Sequence, residues 1–446
     1  MASDMLSIAA SGARAARGAL DVTAQNIANA SSEGYVRRSL RIEEVSASGG
    51  AGRNGDISLS GARIAEINRN ADPFLQSEVR RTNGDLQRAN TELSGLSNIE
   101  SAIEQSGIFT SIVEFEASLQ QLAGDPSDPS RRAAALAEAN TMANKFEITA
   151  TGLDSVGAGL RFDAEAQVSE ANIIGGELAR VNLRLTRAGS GSSDRAALLD
   201  QRDQLLERLA GFSAVTTSFA SDGTVAVSLG SAPARSFVQG GTSGVLSSAQ
   251  GADGTLSFAV DGQPTNPGSG GLAGAALALT ALATTRGRLD AIAGRLADTV
   301  NAAQAAGVGS DGSPGAPMFA GATAGTLRVV LGSGQGIATA PAGAAAGSRD
   351  TGNLAALREA LASENPAQQL SSLLFDVSST VAGRNVTQSA LETIASSARI
   401  SLEQQSSVNL DTEATNLIRF QQAFQASGRA MQVASDIFDT LLGIGR

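Results

Sequence analysis

The stretch from Val408 to Ile444 constrains this chain more than any other part of it. Leu417, Phe420, Phe424, Ser427, Met431, Ala434, Phe438 and Leu441 follow one another at alternating steps of three and four residues, which sets all eight side chains on one stripe of a helix. A stripe of that period is a coiled-coil seam. Asn409 or Asp411 can accept the free amides of the first turn, and Gly443 and Gly445 provide a stop. The other faces carry Arg419, Gln421, Gln422, Gln425, Arg429, Gln432 and Asp436. The helix cannot cover its own seam and needs a partner.

The amino terminus offers one. Leu6, Ala9, Ala13, Ala16, Leu20, Thr23 and Ile27 repeat the three-and-four alternation, with Ser3 or Asp4 as a cap. This seam is small where the other is large, so the two are complementary in volume and are expected to meet as an antiparallel pair or close neighbours. Alanine burial contributes about 0.8 kcal/mol per methyl-sized group against roughly 1 to 2 kcal/mol of backbone ordering per residue. Such a pair barely holds alone. Residues before about Tyr35 and after about Ser406 are therefore expected to become ordered only on joining neighbours.

These two ends also carry a family resemblance. GALDVTAQNIANASSEGYVRR resembles the amino-terminal motif of the flagellar axial proteins, which form the rod, the hook and the hook-associated structures. Asn26, Ile27, Ala28, Asn29, Gly34 and Tyr35 fall on its positions, and Ser32 and Glu33 stand where the family commonly has Thr-Pro. Within that family the interior decides the type. LLDQRDQLLERLAGFSAVTTSFASDGTVAVSLG from Leu198 to Gly230 and SSVNLDTEATNLIRFQQAFQASGRAMQVASDIFDTLL from Ser406 to Leu442 are similar to the FlgK-type, hook-associated protein 1 members. So are LQQLAGDPSDPSRRAAALAEANTMANKF and GGLAGAALALTALATTRGRLDAIAGRLADTVNAAQ. Together they cover under half the chain, in the family's order.

The resemblance implies a non-enzymatic structural subunit at the hook–filament junction that polymerises through its terminal helices. Leu6, Ala13, Leu20, Ile27, Leu417, Phe420, Phe424, Met431, Phe438 and Leu441 would form the assembly interface, and Asn26, Asn29, Gly34 and Tyr35 would shape the turn that leaves the first helix. It further implies the flagellar hook protein and the next hook-associated protein as partners, an export chaperone on the C-terminal helix, self-association in a ring or tube, and secretion to the extracellular flagellum by type III export. A hook or distal rod protein is the alternative within the class, and a secreted adhesin or binding module is the alternative outside it.

Composition narrows the chemistry. The chain has neither cysteine nor histidine, which removes thiolate catalysis, disulfides, the histidine base and imidazole metal ligation. No catalytic residue, cofactor or metal is expected. A net charge of -11 argues against nucleic-acid or anionic-membrane surfaces. No apolar run approaches the roughly 20 residues of a membrane helix, and the first residues lack the order of a cleaved signal peptide. Of the basic residues only Lys145 is lysine, for which there is no physical account.

At 446 residues two or three domains are expected. SASGGAGRNGD reads as a turn between two strand-like stretches. Asp72-Pro73 and Asp128-Pro129 read as helix starts, and helices are expected to about Leu153, from Phe162 to Arg187, and from Asp194 to Ala210. Past Gly211, period-two alternation on either side of Asp222-Gly223 predicts a hairpin, in a region where the glycines cluster. The expected fold is α+β multidomain, with a terminal coiled-coil helix pair (residues 1–45 with 405–446), a long-helix domain (46–211 with 350–404) and an inserted β-rich domain (212–349) holding a helix over 272–306.

Three smaller motifs have bland readings. GSGQG after LRVVL has Ile337 where a dinucleotide loop needs its third glycine, so a plain loop is expected. SDGSPGAP has one acidic residue where a calcium loop needs several, so a turn is expected. Asp200/Asp203 and Glu43/Glu44 could pair as catalytic carboxylates, but on an amphipathic helix Asp200 and Asp203 are expected on a solvated face, paired with Arg195, Arg202 or Arg208.

Overall fold

The computed structural model describes residues 2–32, 34–46, 59–189 and 191–444. The SASGGAGRNGD turn, the Ser3 and Asp4 side chains, the Leu441 side chain and Gly445 lie outside what is described. In order come α1 (Ala2–Ala28), β1 (Arg38–Ser46), β2 (Leu59–Arg69), α2 (Pro73–Glu104), α3 (Ile108–Gly124), α4 (Pro129–Leu185) and α5 (Ser193–Ala210). Short strands follow: β3 (Val215–Phe219), β4 (Val225–Leu229), β5 (Arg235–Gln239), β6 (Thr242–Ser243), β7 (Leu246–Gln250), β8 (Leu256–Val260) and β9 (Gln263–Thr265). Then come α6 (Gly270–Ala305), two-residue strand pairs, α7 (Gly352–Glu364), α8 (Pro366–Ser406) and α9 (Leu410–Ile444). The class is α+β.

Helix starts are built by proline behind a short polar cap. Asp72 Oδ1 accepts from the amides of Phe74 (2.8 Å) and Leu75 (3.2 Å) ahead of α2, and Asp128 Oδ1 accepts from Ser130 N at 2.8 Å ahead of α4. Asn365 and Pro366 repeat the device at α8. Of the two candidate caps for α9, Asn409 serves, its Oδ1 accepting from Thr412 N at 3.0 Å. Asp-Gly-Thr or Asp-Gly-Ser turns recur at 222–224, 253–255 and 311–313, where the aspartate accepts from the amide two residues on and the glycine takes a positive φ. The 310–317 stretch is thus a turn, as expected.

Residues 129–185 form one helix where two were expected. Gly157 and Gly159 weaken the amphipathic signal there but do not break the helix, because each costs only about 1 kcal/mol and packing offsets it.

The chain divides into two compact units. One comprises residues 1–84, 170–246 and 392–446, and the other 85–169 and 247–391. The core of the second unit is helical: Ile112, Phe115, Leu119 and Leu122 of α3 meet Met142, Phe146 and Leu153 of α4, Leu289, Ile292 and Leu296 of α6, and Leu354, Leu357 and Leu361 of α7. The rings of Phe115 and Phe319 meet edge to face at 6.1 Å. The GSGQG segment is one short 3-10 turn in this unit, and its carbonyls are engaged: Arg132, almost wholly buried, donates to Gly334 O, Gln335 O and Ile337 O. A phosphate loop presents amides, not carbonyls, to its ligand.

The first unit holds both chain ends. Strands β3, β4, β5 and β6 form an antiparallel sheet, with Val215 opposite Leu229 and Phe219 opposite Val225 across the Asp222-Gly223 turn. Strands β1 and β2 form an antiparallel pair with two register shifts. Asparagines on helices dock these strands. Asn182 of α4 donates to Val225 O (2.9 Å) and accepts from Val225 N (2.9 Å), and Asn172 does the same to Leu246. A primary amide thereby takes the place of a strand neighbour. In the second unit Asn301 clasps Phe319 in the same way.

Candidate assembly site at the paired chain ends

Helices α1 and α9 lie side by side and antiparallel, since Asn26 meets Glu413 at one end of the pair and Gly12 faces Ser427 further along. Glycine and alanine at 9, 12 and 13 bring α1 close to Ala426, Ser427 and Ala430, which share an apolar groove with Met5, Ile8 and Ala9. Small residues therefore occupy the contact line. Ala9, Ala13, Ala16 and Thr23 are buried, Leu20 is half-buried, and Leu6 and Ile27 are exposed. On α9, Ala434 is buried and Leu417, Phe420, Ser427 and Met431 are half-buried. Phe424 and Phe438 remain 43% and 50% exposed. Ile418, Val433 and Ile437 add further exposed apolar surface.

Helix α1 has a second covered face, which sequence reasoning missed. Ser11, Gly18 and Asn26 lie against the β1–β2 pair: Ser11 Oγ accepts from Ala62 N at 3.0 Å, and a Cβ at Gly18 would sit 2.5 Å from Ile64 Cδ1. Ala15, Ala19 and Val22 are buried on the same stripe. Where the sequence led to an expectation that neighbouring molecules order the terminal segments, the chain itself supplies α1 with two packed faces, from its own strands and its own α9.

The motif residues meet in a polar network. Asn26 is buried, and its Oδ1 accepts from Arg38 N (3.0 Å) and the Tyr35 hydroxyl (2.9 Å). Its Nδ2 donates to Arg38 O (2.8 Å) and to Glu413 Oε2 (3.3 Å). Glu413 is 1% exposed and also accepts from Arg37 Nε at 2.7 Å. Burial pushes the Tyr35 hydroxyl above its ordinary pKa, with Arg38 opposing. Asn29 stays local, donating to Gln25 O at 2.8 Å. Gly34 takes φ of 71°, and a Cβ there would lie 2.3 Å from Gln204 Nε2, so the turn needs glycine twice over.

Asp200 and Asp203 do not form the solvated face expected of them. Arg38 Nη2 donates to Asp200 Oδ2 at 3.0 Å, Arg69 bridges Asp200 and Asp203, and Arg202 and Gln76 donate to Asp203. Burial raises the Asp200 pKa despite Arg69 and Arg38. Asp203 feels the same burial, yet Arg202 and Arg69 hold its pKa below the ordinary range. Arg202 also donates to Gly223 O at 2.6 Å, clamping the β3–β4 turn to α5. All four acceptor oxygens hold guanidinium partners, so the pair works as a structural tie between α5 and the strands that follow α1. Arg38, Arg69 and Glu413 carried no sequence signal, because their partners lie over a hundred residues away.

Residues 93–319, half of the chain, match the family described as flagellar hook-associated protein FlgK helical domain. The chain belongs to that family. Residues 6–35 match the flagella basal body rod protein family, and residues 402–444 match the C-terminal family of the flagellar basal body rod FlgEFG proteins. Flagellar hook-associated protein 1 of Salmonella typhimurium is 28% identical over 71% of this chain and 59% of its own length, and that of Escherichia coli is 28% identical over 71% and 60%. This alignment thus spans about three-fifths of the enterobacterial relatives. The Bacillus subtilis protein of the same name is 24% identical over 97% of this chain and 96% of its own. The FlgK hook junction protein of Burkholderia pseudomallei has a TM-score of 0.48 at 24% identity, over 55% of this chain and 46% of that one. No described helix is long and apolar enough to cross a membrane.

Proposed function

We propose that this chain is a non-enzymatic structural subunit of the bacterial flagellum at the hook–filament junction, polymerising through α1 and α9. The observation that carries the reading is the apolar rim left open on the antiparallel pair. Leu6, Ile27, Ile418, Phe424, Val433, Ile437 and Phe438 of the pair are all exposed, and a monomeric soluble protein rarely leaves so many large apolar side chains uncovered on two helices. Neighbouring copies in a ring or tube would bury them, with Leu417, Phe420, Met431 and Leu20 completing the interface and Leu441 extending it, while Ala13 packs within the pair of a single chain. The hook protein would adjoin one side and the next hook-associated protein the other. An export chaperone would cover α9 before assembly, and the chain would leave the cell by type III export.

A hook or distal rod protein would share the terminal matches, since those belong to rod families. The match over residues 93–319 supports the junction reading over that one. Electron microscopy of flagella from a strain lacking this gene is the test. Hooks without filaments are expected, and complete filaments would overturn the reading.

A further inference from the structure

Among the described residues most buried guanidiniums are paired, although Arg38 Nε is left without an acceptor. Arg132 donates to four carbonyls and to Thr339 Oγ1, Arg38 and Arg69 pair with Asp200, and Arg202 pairs with Asp203. Arg80 of α2 is 7% exposed and, among the described residues, makes no hydrogen bond and no ion pair. Asp203 and Glu207 favour its charge from nearby without hydrogen-bonding to it, so the donors of the guanidinium fork stay open to an acceptor.

Arg80 lines a cavity of about 350 Å³ within the first unit, walled also by Ser32, Gly34, Gln76, Ser406 and Val408. At about 30 Å³ per molecule the space holds on the order of ten waters, more than a guanidinium needs. The acids on the wall are committed elsewhere. Asp203 is held by Arg69, Arg202 and Gln76, while Glu207 and Glu403 both pair with Arg399. These three carboxylates set a limit on charge: they repel a dianion more than a single negative charge, and Arg80, whose guanidinium makes no hydrogen bond among the described residues, is the cation placed to meet that charge.

We propose that this cavity is a carboxylate-binding site, with Arg80 as the residue that holds the ligand. Arginine presents a planar fork whose two N–H groups match both oxygens of a carboxylate. The site stands whether or not the chain is a junction subunit. The carboxylate could arrive as a small free acid or as an acidic side chain of a second copy, and the chemistry at Arg80 is the same.

The test is thermal unfolding of the full chain with increasing sodium acetate, against sodium chloride at equal ionic strength, for the unaltered chain, Arg80→Met and Arg80→Lys. A saturable rise in Tm specific to acetate is expected for the unaltered chain, absent in Arg80→Met. Should Arg80→Met not fold, Arg80→Lys decides: it keeps the charge and loses the fork, so acetate should bind about tenfold more weakly. Equal effects of acetate and chloride, or an acetate response that survives both substitutions undiminished, would overturn the proposal. Sedimentation velocity then names the source. Self-association that acetate weakens assigns the carboxylate to a second copy, and self-association that acetate leaves unchanged assigns it to a free acid.

Discussion

At the residue scale, the side chains that matter most in the first unit are polar and buried. Asn182 shows why. It is 1% exposed and holds both backbone groups of Val225 as well as Gly240 O (2.8 Å), so a substitution orphans groups that water cannot reach. Asn182→Ala is expected to cost about 2 to 4 kcal/mol in urea unfolding. A loss under ~0.5 kcal/mol would show that water replaces the amide. The carboxylates give a pH signature. Asp203 has a lowered folded pKa, so its contribution is complete above the ordinary carboxylate range and is lost as pH falls through the folded value. Asp200 has a raised folded pKa and acts oppositely, its burden being relieved as it takes up a proton below the raised value. Asp203→Asn should therefore flatten the loss of stability below about pH 4, and an acid limb as steep as that of the unaltered chain would refute the assignment.

At the element scale, what sequence can show depends on how far away an element's partner lies. The α9 helix and the Asp222-Gly223 hairpin were legible because each repeats locally, at a period set by its own backbone, but the face of α9 that meets α1 was not, since Ala426 and Ala430 off the three-and-four stripe share the groove while Phe424 and Phe438 stay about half exposed. The second face of α1 was not, because Ser11, Ala15, Gly18 and Val22 carry too little apolar signal to mark a stripe. The continuity of α4 was hidden by glycine at 157 and 159, and the Asp200–Asp203 tie by partners distant in sequence. With two faces covered, the middle of α1 should resist local opening, whereas the side chains of α9 from Ser435 to Thr440 are all exposed. Amide hydrogen exchange on the monomer is expected to show protection from Ala13 to Thr23 and faster exchange from Asp436 to Thr440. Uniform rapid exchange through α1 would restore the view that neighbouring copies must order it.

At the scale of the whole molecule, both ends of the chain enter one unit, and residues of the same helix pair divide into buried and exposed groups. Ala434 is almost wholly buried, and a charge there has no partner and no water, so Ala434→Asp should separate α1 from α9 within the monomer. Phe424 and Phe438 are about half exposed in the single chain, so a charge at either position can remain hydrated while the monomer is alone. Under the proposed assembly the same charge becomes costly once a neighbouring copy covers it. Phe424→Asp combined with Phe438→Asp is therefore expected to leave the circular dichroism and Tm of the monomer nearly unchanged while abolishing motility in a complemented strain. Ala434→Asp is expected to lower Tm as well. Full motility in the double phenylalanine variant would mean that the exposed rim is not the assembly surface, and a collapse of its monomer Tm would mean that the aromatic side chains belong to the fold of the single chain.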